Sequence, residues 1–330
     1  MPLIQSTYRS PRWLPTGHLQ SIYAQFLPRP TLAYRRERLE LADGDFVDLD
    51  WSEPSLAISA ESSTNKAILV FFHGLEGSSN SQYCLHAMGE ANKSGWLGVV
   101  AHFRGCSGEP NRLSRSYHSG DSEHADNVLR EIRQRYPKHR IFAVGVSLGG
   151  NALTKWCGEQ GDAARDVIDA AASVCSPLDL GVSAVAILHF RNRIFNRYFM
   201  KSMGESFAKR MEMHPALRDK EFLVKPRDFP EFDEHYTAPM HGYTSAWDYY
   251  ERASSRGLIA KIRVPFLLLN PANDPFVPAW LMPNESEVPG NVVLEQPAEG
   301  GHVGFVTAPF PGKLDWLPKR LVSFFAPYAK

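Results

Sequence analysis

The feature that most constrains this chain is a succession of short, unbroken apolar runs. Ala67–Phe72 (AILVFF) ends at His73-Gly74, and Leu97–Phe103, Ile141–Val146, Val167–Cys175, Pro265–Leu269 and Asn291–Leu294 follow it. A strand that meets water on one side alternates apolar and polar residues. A run without alternation suits a strand covered on both faces, as in a parallel sheet. Between the runs the spacing of apolar residues becomes helical, over 82–93, 123–136, 148–160 and 313–326. Strand and helix in alternation predict an α/β fold, an open and mostly parallel sheet with right-handed crossovers. Ahead of it, Arg38–Leu41 and Phe46–Trp51 flank Asp43-Gly44-Asp45, which is a hairpin signal.

Three stretches break this rhythm. Prolines at 2, 11, 15, 28 and 30 make residues 1–34 read as an irregular N-terminal arm. Residues 54–65 are small and polar, and read as a loop. Between the fourth and fifth runs lie about 85 residues, far more than one helix and its loops require. Within them, 184–220 reads as helical with a basic face (Arg191, Arg193, Arg197, Lys201, Lys209, Arg210), and 244–256 as helical and aromatic. The expected division is therefore an arm at 1–34, a core at 35–180 and 261–330, and a helical cap insertion at 181–260. A cap over the carboxyl edge of the sheet would cover the place where such sheets bind ligands. Its Phe195, Tyr198, Phe199, Met200, Met203 and Phe207 either line an acyl pocket or pack the cap onto the core. The basic face is either solvated or a contact for anionic lipid headgroups.

Charge and cysteine usage remove several function classes. The 330 residues carry 36 basic and 36 acidic side chains, so the formal net charge is zero. A global polycation built for nucleic acid is not expected, while a local basic patch stays open. The four cysteines show no metal-ligand or CxxC spacing, which fits thiols in a reducing compartment. No signal-peptide stretch and no apolar run long enough to span a bilayer is present. The expectation is a cytoplasmic protein without a transmembrane segment, with peripheral membrane contact left open.

The chemistry falls at strand ends. The third run ends in Gly145-Val146-Ser147-Leu148-Gly149, a G-x-S-x-G motif between a strand and a helix. Serine in so sharp a turn needs small neighbours two positions away, and the turn lifts its hydroxyl above the sheet edge. A serine hydroxyl is a poor nucleophile until a base removes its proton. That base needs a carboxylate to fix its tautomer. Asp274 follows the fifth run and His302, among glycines, follows the sixth, in the chain order Ser, Asp, His expected for this topology. Asp126 is the other carboxylate weighed, but it falls inside a predicted helix. The backbone N–H groups of Leu75 and Leu148 are the expected oxyanion donors, worth about 3–4 kcal/mol each. His73 and Gly74 end the first run, with His73 bonding loop backbone. Arg104 and His118 lie in the loop after the second run, and all four are read as supporting the site.

These residues bring the chain close to a known family. It resembles the α/β-hydrolases, and within them the YheT-like esterases related to the α/β-hydrolase domain-containing lipid hydrolases. The resemblance rests on Trp13-Leu14-Pro15, Gly17-His18-Leu19-Gln20, Asp43-Gly44-Asp45, HGLEGSS at 73–79, Arg104-Gly105-Cys106-Ser107-Gly108 and Tyr117-His118-Ser119-Gly120. It continues from Asp233 through Gly242-Tyr243, Asp248-Tyr249-Tyr250 and Ser254 to Asn273-Asp274. It implies a serine carboxylesterase with Ser147 as nucleophile, Asp274 as acid and His302 as base. Eukaryotic relatives often carry an N-terminal membrane anchor; with none read in this sequence, the resemblance leads to the expectation of a bacterial, cytosolic form.

The expected reaction is hydrolysis of short- to medium-chain acyl or lipid-like esters through an acyl-enzyme. Nothing in it needs a metal or an organic cofactor, and the partner is a small-molecule or lipid-like ester. A thioesterase or acyltransferase would use the same three residues. A non-catalytic binding protein on a hydrolase scaffold would ordinarily lose one of them, and none is lost.

Overall fold

The structure is a computed structural model that describes residues 2–54 and 67–330. The loop expected over 54–65 lies, apart from Pro54, outside the described residues. Among the described residues, nine strands form one sheet: β1 (Leu3–Ile4), β2 (Arg35–Glu40), β3 (Phe46–Ser52), β4 (Ala67–Phe72), β5 (Leu97–Ala101), β6 (Arg140–Val146), β7 (Ala170–Val174), β8 (Phe266–Leu269) and β9 (Val292–Glu295). Their order across the sheet is β1-β9-β8-β7-β6-β4-β5-β3-β2. The β2–β3 hairpin and the β3–β5 pair are antiparallel, and every other pair is parallel. Among the described residues, the α-helices of seven or more residues are α1 (Gly17–Tyr23), α2 (Gln82–Lys93), α3 (Ser122–Arg135), α4 (Leu148–Gln160), α5 (Leu180–Leu188), α6 (Arg193–Met213), α7 (Ala246–Ala253) and α8 (Trp316–Phe325).

The unbroken apolar runs have a direct cause. Successive strand residues point to opposite faces, and both faces are covered. Ile68, Val70 and Phe72 of β4 enter one core, with Val128 and Ile132 of α3 and Trp156 of α4. Ala67, Leu69 and Phe71 enter the other, with Met88 of α2 and Leu321 and Phe325 of α8. Each large apolar side chain so buried contributes about 1.5–3 kcal/mol.

Strand order and register together locate the site. The chain runs from β4 outward to β5, then returns past β4 to β6. Between β4 and β6 the connections diverge, opening the crevice at which α/β sheets bind ligands. Phe72 stands opposite Gly145, Val174 opposite Leu269, and Leu269 opposite Glu295. The carboxyl ends of β4, β6, β7, β8 and β9 therefore lie along one edge.

Several expectations need correction. The arm is not irregular throughout: β1 pairs in parallel with β9, and α1 follows a Thr16 cap whose Oγ accepts from Leu19 N–H at 3.3 Å. A two-residue strand and a seven-residue helix are too short to show a period. The helical stretch expected over 184–220 is broken, with α5 ending before His189 and α6 beginning at Arg193. The helix expected over 244–256 is the shorter α7, and the one over 313–326 begins only at Trp316. Val167 and Ile168 precede β7, and His102 and Phe103 follow β5, rather than belonging to them.

Candidate active site

Ser147 sits at the corner between β6 and α4 with φ 53° and ψ −120°. A non-glycine residue in that conformation costs about 1–3 kcal/mol and persists only when its surroundings impose it. Here they do. Ser147 N–H donates to Val174 O of β7 at 2.8 Å. A Cβ on Gly145 would collide with the Gly149 carbonyl. A Cβ on Gly149 would lie 2.5 Å from the carbonyl oxygens of both Phe72 and His73. The two glycines of the motif let α4 pack against β4 and force the serine outward. The loop after β4 passes directly over it, since a Cβ on Gly74 would lie 3.3 Å from Ser147 Cβ.

Asp274 and His302 converge on this serine from β8 and β9. His302 Nε2 is 3.0 Å from Ser147 Oγ, and His302 Nδ1 is 2.9 Å from Asp274 Oδ2. A carboxylate only accepts, so Nδ1 carries the ring proton and Nε2 turns its lone pair toward the serine hydroxyl. The other carboxylate oxygen accepts from Phe276 N–H at 2.8 Å and Val277 N–H at 3.2 Å. The Phe276 ring packs on the imidazole, with centroids 4.6 Å apart. This arrangement can accept a proton from Ser147 and hold the resulting imidazolium beside a fixed anion. Asp126 has no part in it: its Oδ1 accepts from Arg130 and from Trp156 Nε1.

Leu75 and Leu148 line the same cavity as Ser147 and His302, a space of about 150 Å³. Leu148 is the first residue of α4, so its N–H has no carbonyl one turn earlier within the helix to bond. His73 acts on backbone. Its Nε2 accepts from Phe103 N–H at 3.2 Å, which leaves the Nδ1 proton for the Gly74 carbonyl at 2.8 Å. Burial pushes its pKa down to about 3, so the ring stays neutral while it ties the β4 loop to the β5 loop. Gly74 N–H in turn donates to Tyr83 Oη at 3.0 Å.

The loop after β5 borders the cavity only in its second half. His118 lines it, with its ring 4.3 Å from that of His241, and burial pushes its pKa down to about 3. Arg104 does not reach the cavity. It turns away to Asp45 at 2.7 Å and Asp43 at 2.8 Å, pinning the β2–β3 turn. Among the insertion's expected acyl-contacting residues, Phe199, Met203 and Phe207 line the cavity. Met200 is buried elsewhere in the insertion, Phe195 packs on His18 and Phe276, and Tyr198 faces water. Arg210 leaves the basic face and points inward to Tyr236 Oη at 3.1 Å.

The structure adds supports that motif reading does not reveal. Ser21 Oγ of α1 accepts from His302 N–H at 2.7 Å. Gln20 Oε1 accepts from Gly300 N–H at 2.8 Å and from Asn273 Nδ2 at 3.1 Å, and Asn273 Oδ1 accepts from Gly301 N–H at 2.9 Å. Gly301 has φ 62°, and a Cβ on it would strike the Gly17 carbonyl. The arm thus grips the loops that carry both Asp274 and His302. In the sequence, the Gly17-His18-Leu19-Gln20 segment is the signal for this. On the opposite wall Glu76, at φ 52°, accepts from Tyr117 Oη at 2.8 Å, from Ser202 Oγ of α6 at 3.3 Å, and from Ser206 Oγ. Asp233 also lines the cavity and accepts from Tyr250 Oη at 2.8 Å, and burial raises its pKa to about 6.

Among the described residues, one group of potential metal ligands comes together: Cys175, Asp274 and His302, with donor atoms within 4.8 Å of one another. Burial keeps the Cys175 thiol well above its ordinary pKa, and its sulfur accepts from Val303 N–H at 3.3 Å. Asp274 and His302 already bond each other, so the group is organised around a proton. No helix of the described residues is long and apolar enough to cross a membrane.

Comparison with known proteins agrees with this fold. Residues 67–309 match the model of the alpha/beta hydrolase fold family. The chain is 37% identical over 294 residues to the Escherichia coli (strain K12) protein named "Putative esterase YheT", covering 88% of this chain and 84% of that one. It is 27% identical over 330 residues to the Homo sapiens phospholipase ABHD3, covering 98% of this chain and 79% of that one. Among solved structures, the Pyrococcus furiosus esterase PF2001 superposes with a TM-score of 0.58 at 14% identity, over 92% of this chain and 97% of that one. That last likeness is one of fold.

Proposed function

The chain belongs to the α/β-hydrolase fold family, in its esterase and lipase branch, and on that premise we propose that it is a serine carboxylic ester hydrolase whose triad is Ser147, His302 and Asp274. One observation carries the reading: the unbroken relay from Asp274 Oδ2 through His302 to Ser147 Oγ, with links of 2.9 and 3.0 Å, on the wall of an apolar cavity. Ser147 Oγ attacks the ester carbonyl carbon as His302 Nε2 takes its proton. The carbonyl oxygen, now an anion, is held by the N–H groups of Leu75 and Leu148. The tetrahedral adduct collapses, His302 gives the proton to the departing alkoxide, and an alcohol leaves. Water then repeats the sequence on the acyl-enzyme and releases the acid. Phe199, Met203 and Phe207 support an acyl or lipid-like substrate of short to medium chain length.

Hydrolysis of p-nitrophenyl esters of graded chain length tests this. Wild type should release p-nitrophenol with a maximum at short to medium chains, and Ser147→Ala should fall at least about a thousandfold below it. Equal rates in the two proteins would contradict the proposal.

A further inference from the structure

The outer side of α5 and α6 is unusual for a surface exposed to water. Within fourteen residues it presents Val185, Leu188, Phe190, Ile194 and Tyr198, with 57%, 42%, 67%, 61% and 68% of their area exposed. Scattered exposed apolar residues are ordinary, but a contiguous group marks a contact surface. Ile194 and Tyr198 are one helical turn apart, so they stand on one face of α6.

The charge along this stretch of sequence has one sign. From Leu180 to Gly204 there is no Asp or Glu, while Arg191, Arg193, Arg197 and Lys201 all fall inside the segment. Among the described residues, no ion pair engages Arg191, Arg193 or Arg197. Lys201 makes one contact, with Glu205 at 3.8 Å. A solvated helix face of this length ordinarily mixes signs. Bulky apolar side chains interleaved with unpaired arginines match the chemistry of an anionic bilayer surface, where the former enter the acyl boundary and the latter meet phosphates.

The segment is also held firmly enough to act as a unit. Asn192, between the two helices, donates from Nδ2 to the carbonyls of Ala186 and Pro275, each at 2.8 Å, and its Oδ1 lies 2.8 Å from His18 Nε2. Pro275 directly follows Asp274. The same two helices line the cavity from their other side, through Leu180, Ala184 and Ile187 of α5 and Phe199 and Met203 of α6.

We propose that the outer face of α5 and α6, Val185 to Lys201, docks the protein on an anionic phospholipid bilayer. The docking needs no catalysis, so it stands or falls separately from the hydrolase reading. It is tested by sedimenting the full chain, as Ser147→Ala so that no lipid is consumed, with vesicles of phosphatidylcholine alone or mixed with phosphatidylglycerol. The mixed vesicles should bind the protein more tightly, and added salt should weaken that binding. The triple variant Arg191→Gln, Arg193→Gln, Arg197→Gln should bind about a hundredfold more weakly. Ile194→Asp should lose about tenfold or more. Both variants should keep the parent's Tm, because none of these side chains packs in the core. Equal binding to the two vesicle types, or undiminished binding by the triple variant, would overturn the proposal. So would a dimer that Ile194→Asp dissolves in the absence of vesicle binding, which would make the face a contact between two copies.

Discussion

The two halves of the candidate site are held in different ways. The Ser147 half is held by backbone against backbone: Gly145 on Gly149, Gly149 on the carbonyls of Phe72 and His73, and Ser147 N–H on Val174 O. These contacts lie within the motif or between neighbouring strands. The Asp274–His302 half is held by side chains from the far end of the chain. Ser21 and His302 are 281 residues apart in sequence, and Gln20 and Gly300 are 280 apart. A turn built on steric exclusion announces itself in five residues. A loop built on distant hydrogen bonds shows its own glycines but not the partners that hold it.

Substitutions in each half should expose this difference. The largest effect is expected at Asp274→Asn, where the loss of the acceptor for Nδ1 should lower kcat about ten-thousandfold while the Tm changes little. Next comes Gly149→Ala, which drives a methyl group into two backbone carbonyls. It should destabilise the protein by about 4 kcal/mol or more, seen as a fall in Tm along with lost activity. Retained stability in that variant would break the steric account of the serine half.

The arm should act on rate more than on stability. Gln20→Ala and Ser21→Ala each leave the triad chemically intact but free the loops that carry it. A fall in kcat of about tenfold to a hundredfold, with KM little changed, is expected from such misplacement. An unchanged kcat in both would show that the acid–base half needs no help from the arm.

The smallest effect belongs to neither half. Asp233 lies in the insertion, and burial raises its folded pKa from 3.8 to about 6. Folding therefore favours the protonated carboxyl, and the stability it supports is present below the unfolded pKa and lost as pH rises through the folded one. Between pH 4 and pH 6 wild type should lose about 2 kcal/mol relative to Asp233→Asn, measured by denaturant unfolding at each pH. Parallel pH profiles for the two proteins would contradict the assignment.

Much of this architecture is legible in the sequence, for physical reasons. The strands from Ala67–Phe72 onward are readable because a sheet covered on both faces allows no alternation. Ser147 is readable because its strained turn tolerates only glycine two positions away. His302 is readable because its loop needs Gly300 and Gly301. The arm is not legible, since two residues of strand and seven of helix carry no periodicity, and its prolines dominate the signal. Arg210 departs from the basic face of α6 because it lies 16 positions from Ile194, about 160° around a helix. The roles of Glu76 and Asp233 are not legible, because their partners Ser206 and Tyr250 come from the insertion, whose packing no local pattern specifies.

The central claim is that Asp274 and His302 make the Ser147 hydroxyl reactive. Treating the folded protein with a fluorophosphonate and mapping the adduct by mass spectrometry tests it most directly. Wild type should carry one adduct, on the peptide containing Ser147, and Ser147→Ala and His302→Ala should carry none. Folded wild type that stays unlabelled, or that is labelled at a different serine, would contradict the account.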